Sequence, residues 1–400
     1  VGGVSLGDLA ATYATPLFVY DEATLRSRCR EARAVFDDGV AFASKSFLCG
    51  AMARLAYEEG LCIDVSTGGE LDIVLRSGVP ANRIILHGNN KSADEIERAL
   101  SVGVHRLIID NFNELDLLRT LVSLDQPLDC LIRVTPGVEA HTHEFVRTGQ
   151  EDTKFGFSVS SGDARAAISL AREIPGLRLH GVHAHIGSQI FDAAGFSETI
   201  SVLSAFTKDD GFDELCVGGG LGVAYVEGES APSITQWGTA IRAAAKQAGL
   251  DPSVRLLAEP GRAIVAQAGV TLYRVGARKP VLARTYMAVD GGMSDNPRPV
   301  LYGSGYETFD ISHPLEDRTQ AVRLVGKHCE SGDVLVDEAW LPASTDVGSI
   351  ICTPVTGAYG YSMASNYNRV PRPAVVFVGD SKAREVLRRE TFEDLARLEV

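Results

Sequence analysis

Basic charge is scarce in this chain: 38 Lys and Arg stand against 52 Asp and Glu, a formal net charge of −14. Nucleic acid and anionic membrane surfaces are bound through clustered cations that neutralise phosphate, so neither partner is expected and a small molecule is. Long hydrophobic runs are also missing. No stretch approaches the roughly 20 apolar residues that span a bilayer, and the opening VGGVSLGDLAATY has neither a basic n-region nor an apolar h-region. A cytoplasmic protein without membrane contact is expected. Paired cysteines are absent as well. The seven cysteines (29, 49, 62, 130, 216, 329 and 352) are odd in number, dispersed and without a CxxC motif, which suits reduced thiols rather than a disulfide framework. Cys62, Cys130 and Cys216 lie in apolar runs and read as small core residues. Cys329 does not, because KHCESGD surrounds it with Lys327, His328, Glu330 and Asp333.

What the sequence does have is alternation. Eight short runs read as buried strands: VAFAS (40–44), LCIDV (61–65), RIILH (83–87), RLIID (106–110), CLIRV (130–134), LHGVHAHI (179–186), ELCVG (214–218) and VRLLA (254–258). Between them lie stretches with apolar residues at helical spacing, such as GELDIVLRSG, SADEIERAL and DARAAISLAREI. Eight strands alternating with helices predict an α/β fold, a (β/α)8 TIM-like barrel over residues 24–270. A doubly wound sheet would alternate similarly, but VAFASKSFLC lacks the glycine turn that fold places after its first strand. Beyond about residue 270 the texture changes to strand and turn signals (GVTLYRV, YMAVDGG, QAVRLVG, DVLVDEAWL, AVVFV). A second, mainly β domain is expected from residues 271–400 together with 1–23, whose TPLFVYD could pair with it.

Barrels carry their chemistry at the C-terminal strand ends. Here those ends offer Lys45, His185 in HIGS, the triple glycine 218–220 and Glu259-Pro260-Gly261-Arg262. A lysine closing an apolar strand is expected to be desolvated toward its neutral amine, the form that makes a Schiff base. Bare glycine amides and a guanidinium suit a phosphate. GGGLG matches neither nucleotide-binding glycine pattern. His183 and His185 share a strand face, which raises zinc as a rival, but no third ligand has recognisable spacing and an imidazole can equally stack on a flat ring. An aldehyde-reactive lysine, a phosphate cradle, a flat imidazole and an isolated carboxylate describe a site for pyridoxal 5'-phosphate, with Glu259 facing the ring nitrogen and keeping it protonated.

These segments, with DVSTGGEL, RVTPGVEAHTHEFVRTGQEDTKFGF, DGGMSDNPRPVLYG and GAYGYSMASNYNRVPRP, resemble the fold-type III pyridoxal-phosphate-dependent decarboxylases along nearly the whole chain. Within them, the branch acting on diaminopimelate is the most similar. The resemblance implies that Lys45 bonds the cofactor aldehyde, His185 stacks on its ring, and Ser188 lies beside it. It also implies that Gly219, Gly220, Gly261 and Arg262 hold the phosphate region, with a hydroxyl from Tyr359. Arg298 of DNPRP, Tyr302 of LYG, Glu330, Arg262 and Tyr359 would bind substrate. The lysine motif departs from the family's aromatic-Ala-x-Lys-Ala-Asn, reading Phe42-Ala43-Ser44-Lys45-Ser46-Phe47; packing beside the lysine changes, but no chemical group is lost.

The implied reaction is decarboxylation of meso-2,6-diaminopimelate to L-lysine, the last step of bacterial lysine synthesis. After carbon dioxide leaves, the α-carbon needs a proton, and a thiol can give one near neutral pH. Cys329 is the candidate acid, and Glu330 the receiver of the substrate's distal ammonium. By the same resemblance the CE loop reaches the site of a partner subunit, which implies a homodimer. The rivals are a sibling decarboxylase acting on arginine, ornithine, carboxynorspermidine or a carrier-bound amino acid, a non-catalytic pyridoxal-phosphate-binding protein, and an alanine racemase. Arg298, the β domain and HCESGD respectively argue against them. The polar HTHEFVRTGQEDTKFG stretch after strand five is expected to close over substrate, and its HTH triplet (141–143) reads as a loop feature.

Overall fold

The structure is a computed structural model that describes residues 1–138, 152–192, 194–282 and 284–400. The HTH triplet and most of the stretch expected to close over substrate lie outside the described residues. The chain divides into two compact units, one made of Arg28–Val223 with Ala231–Ala263, the other of Val1–Ser27, Ala224–Ser230 and Ile264–Val400.

In the first unit all eight apolar runs fold as strands: Ala41–Ala43, Cys62–Val65, Ile84–Leu86, Arg106–Ile109, Leu128–Thr135, Leu177–His183, Glu214–Cys216 and Arg255–Leu257. Each pairs in parallel with its neighbour in chain order. The two ends of the sheet then meet, Ala41 N–H donating to the Ala258 carbonyl and Ala258 N–H to the Gly39 carbonyl, each at 2.9 Å. The sheet thus closes into the expected barrel. A closed parallel sheet between a filled interior and outer helices has two dry faces. That is why these strands read as continuous apolar runs: Cys62–Val65 and Arg106–Ile109 are buried at every position.

The helices begin where the sequence supplies caps. Thr67 accepts from Glu70 N–H ahead of Gly68–Arg76, Ser92 and Glu95 form a reciprocal capping box ahead of Ala93–Val102, and Asn111 caps Phe112–Leu121. Each such cap contributes about 1 kcal/mol. Each also fixes the turn that follows a strand's C-terminal end, where a barrel keeps its chemical groups.

The second unit is built on a mixed sheet in the order Val334–Leu341, Gln320–Val325, Arg284–Val289, Gly269–Val281, Leu17–Asp21, Ala374–Gly379, Lys382–Leu387. Leu17–Asp21 lies between Gly269–Val281, to which it is antiparallel, and Ala374–Gly379, to which it is parallel. Its inward residues Leu17 and Val19 join Leu9, Leu272, Cys352 and Val376 in one buried cluster. Among the described residues no helix is long and apolar enough to cross a membrane.

The barrel floor is tied by charge. Arg106 and Glu214, the first residues of strands four and seven, share two hydrogen bonds of 3.0 and 2.8 Å, and Arg255 of strand eight donates to the same carboxylate at 3.1 Å. Arg106 and Glu214 are both buried. Breaking a buried pair strands the surviving charge, so Glu214→Ala is expected to lower the unfolding free energy by about 3–5 kcal/mol in a urea titration. A loss within about 0.5 kcal/mol, the usual surface range, would contradict this role for the pair.

Candidate active site

Strand one ends at Ala43, and the chain turns through the short 3-10 segment Ser44–Ser46. Ser44 and Ser46 are buried, Ser46 Oγ donating to the Ala43 carbonyl at 2.9 Å, while Lys45 between them is exposed. The lysine is therefore not the desolvated amine expected from its position after an apolar strand.

Strand eight delivers Glu259, which is buried but not isolated. His183 Nε2 lies 2.9 Å from its Oε2, His87 Nε2 lies 3.0 Å from its Oε1, and the Cys216 thiol donates to Oε1 at 3.5 Å. Burial alone would push this carboxyl up, but the two imidazoles beside it outweigh burial and hold it well below the usual carboxylate range. His87 responds in kind: burial opposes its charge, yet Asp64 and Glu259 draw its pKa up. Burial lowers His183, with Glu259 only partly offsetting it. Asp64, 3.7 Å from His87, is pushed up to about 6 by its own burial. The ligand atoms of His87, His183 and Glu259 lie within 4.8 Å of one another, a spacing that a metal could also use. His183 hydrogen-bonds Glu259 and His87 stands at ion-pairing distance from it, and the charge this cluster keeps on Glu259 accounts for the spacing.

The ends of strands one, six, seven and eight approach too closely for side chains. A Cβ on Gly219 would stand 2.2 Å from the Glu259 carbonyl oxygen, one on Gly220 2.3 Å from that of Gly187, and one on Gly261 2.9 Å from that of Ala43. Gly219 N–H donates to His185 Nδ1 at 3.2 Å. Burial, together with the positive charges of Lys45 and Arg133, holds His185 well below its ordinary value, so its ring is a neutral plate. Arg262 donates to Ser188 Oγ at 2.9 Å. The barrel thus gathers Lys45, His185, Ser188, Gly219, Gly220, Glu259, Gly261 and Arg262. These residues fit pyridoxal phosphate: an amine for the aldehyde, an ionised carboxylate for the ring nitrogen, a flat imidazole for the ring face, and bare backbone with a guanidinium for the phosphate.

The remaining expected residues belong to the other unit. Arg298 opens the short helix Arg298–Tyr302 and is buried, its Nη1 donating to the Tyr306 hydroxyl at 2.5 Å. Tyr302, the last residue of that helix, is half-buried. The turn before it is anchored by Asp295, which accepts from Tyr273 Oη at 2.6 Å and from Gly292 N–H at 2.8 Å; burial pushes its carboxyl up to about 7. Tyr359 is half-buried with a φ of 58°, a left-handed conformation that costs a bulky residue about 1 kcal/mol or more. Cys329 is exposed, whereas the other six cysteines are buried. Its loop is held by Asp333, which accepts from His328 N–H at 2.9 Å and Met293 N–H at 2.6 Å, and by Asn368, which accepts from Cys329 N–H at 3.0 Å. Glu330 is exposed beside it. Among the described residues no hydrogen bond or ion pair links Cys329 or Glu330 to Arg298.

Sequence reasoning passed over His87, although it closes RIILH and the strand-end rule would have found it. Tyr225 and Tyr306 carried no comparable signal.

Residues 22–266 match the family described as pyridoxal-dependent decarboxylase, pyridoxal binding domain. The chain is 45% identical over 422 residues to the diaminopimelate decarboxylase of Mycobacterium tuberculosis, spanning 100% of this chain and 94% of that protein. It is 44% identical over 420 residues to that of Bacillus subtilis, with the same coverage. Among solved structures, diaminopimelate decarboxylase from M. jannaschii in complex with L-lysine superposes with a TM-score of 0.91 at 31% identity, over 98% of this chain and 94% of that one. With the pyridoxal-binding family matched over residues 22–266 and a diaminopimelate decarboxylase 45% identical along the whole chain, the chain belongs to the diaminopimelate decarboxylase family of pyridoxal-dependent enzymes.

Proposed function

We propose that this protein decarboxylates meso-2,6-diaminopimelate to L-lysine and carbon dioxide, working as a homodimer whose protomers complete each other's sites. The observation that carries the substrate is Arg298. It is 5% exposed, and among the described residues no carboxylate lies within ion-pairing distance of it. A buried guanidinium without an anion is expensive. Its planar N–H donors match a carboxylate in bidentate fashion, and diaminopimelate brings one at the end remote from the reaction. Ornithine or lysine as substrate would leave Arg298 unpaired, a loss that hydrogen-bonding sites can turn into discrimination of as much as about 10⁴-fold.

Bound pyridoxal phosphate supplies the electron sink that lets the α-carboxylate depart. The protein's part is placement and protons. Glu259, kept ionised by His87 and His183, would favour a proton on the ring nitrogen; His185 would face the ring; Gly219, Gly220, Gly261, Arg262, Ser188 and Tyr359 would hold the phosphate end. Lys45 would hold the cofactor's aldehyde end through its amine. Tyr302 and Tyr359 assist Arg298 with the substrate. Cys329 Sγ delivers a proton to the α-carbon, and Glu330 takes the distal ammonium. What supports a shared site is that Cys329 and Glu330 are exposed on a firmly held loop and unlinked to their own chain's Arg298.

Purified protein with pyridoxal phosphate is expected to form lysine from meso-diaminopimelate, and Lys45→Ala to form none. Turnover of ornithine or arginine in preference to diaminopimelate would overturn the substrate. Cys329→Ala should lower kcat by about 10²–10⁴-fold, the usual contribution of a general acid. Mixing unfolded Lys45→Ala and Cys329→Ala chains and refolding them together should restore about a quarter of native activity, because half of the dimers are mixed and each of those has one intact site. No recovery from a mixture shown to contain heterodimers would contradict sites shared between protomers.

A further inference from the structure

Arg298 sits in an aromatic corner. Its guanidinium carbon lies 4.1 Å from the centroid of the Tyr225 ring and 5.5 Å from that of Tyr306. The two rings meet edge to face, 5.3 Å apart at 82°. Both tyrosines are buried, at 5% and 3% exposure. Tyr225 is fastened in turn: its own N–H donates to Glu229 Oε2 at 2.8 Å, and Glu227 N–H donates to Glu307 Oε1, beside Tyr306, at 3.1 Å. A ring face against a guanidinium restrains its tilt by cation–π attraction, and the phenol oxygen 2.5 Å from Nη1 restrains its rotation within its plane. One of five N–H donors is thereby committed, and the others keep a fixed direction. A tyrosine pair serving only to fill the core has no need of a cation packed against it, since burying that cation costs free energy a leucine would avoid.

We propose that Tyr225 and Tyr306 are positioning residues that hold the Arg298 guanidinium ready for the substrate's distal carboxylate, and so set the preference for ligands that carry one. The proposal rests on the role given to Arg298 above. It involves no group that changes covalently, and the tyrosines act through the arginine.

The test uses two small ligands that differ at one group. L-Lysine keeps the distal carboxylate of diaminopimelate, and 1,5-diaminopentane lacks it. Tyr225→Leu and Tyr306→Phe should each raise KM for diaminopimelate and the lysine inhibition constant by on the order of tenfold, with kcat within about twofold of native. Inhibition by 1,5-diaminopentane and the absorbance of bound cofactor should not move, and Tyr225→Phe, which keeps the ring face, should behave as native. Equal weakening of both inhibitors, or an unchanged KM in the two variants, would overturn the proposal. Arg298→Met run alongside separates the two levels of failure. If it leaves lysine inhibition intact, the role of Arg298 itself falls. If it weakens lysine selectively while the tyrosine variants bind as native, the positioning role alone falls.

Discussion

A carboxylate buried inside a closed barrel is the constraint on which the rest of this structure depends. Taking Glu259 out of water costs several kcal/mol unless opposing groups compensate it. The compensation comes from His87 at the end of strand three and His183 at the end of strand six. Both meet Glu259 inside the barrel, and the hydrogen bonds that close the sheet fall on Ala258, one residue before it. Backbone and side chain are linked at the same point. The Glu259 carbonyl lies where a Cβ on Gly219 would be, and Gly219 N–H in turn orients His185. The ionised Glu259, the oriented His185 ring and the close glycine approaches thus meet at one place in the barrel.

The two units treat buried charge in opposite ways. In the barrel, Glu259 is surrounded by imidazoles and stays ionised, a permanent partner suited to tuning a cofactor. In the β-rich unit, Arg298 is buried against phenol rings and a hydroxyl, with no ion-paired carboxylate among the described residues. A compensated charge biases a reaction without leaving its place. An uncompensated one favours the approach of an anion, and that is the physical ground of the selectivity proposed for Arg298.

Much of this was legible in the sequence. All eight barrel strands could be read as apolar runs, most because both their faces are dry, although Leu177–His183 and Arg255–Leu257 are partly exposed. Lys382–Leu387 could not: KAREVL mixes charged with apolar residues and has none fully buried, and it becomes a strand through a tight turn whose Asp380 and Ser381 have φ of 50° and 57°. Ile350–Pro354, IICTP, was apolar enough to be found but was not among the runs singled out. Strand-end logic located Lys45 and Glu259 but misjudged the surroundings of both. Burial of a lysine depends on the turn that follows its strand, and the partners of a glutamate come from strands far away in sequence. The tyrosines around Arg298 were invisible for the same reason, since Tyr225 and Tyr306 meet only once Ala224–Ser230 joins the β-rich unit.

The most direct test is the ionisation of Glu259 itself. Protein labelled with carbon-13 at glutamate carboxyls, compared with a Glu259→Gln variant to assign the signal, would be titrated between about pH 4 and 8, a range that brackets the ordinary glutamate and histidine values. The account predicts that Glu259 remains a carboxylate throughout this range, because its folded-state pKa is depressed and its ionised form is the stabilised one. A resonance that protonates near or above the ordinary glutamate value would mean that burial prevails over the two histidines, and the central claim would be wrong.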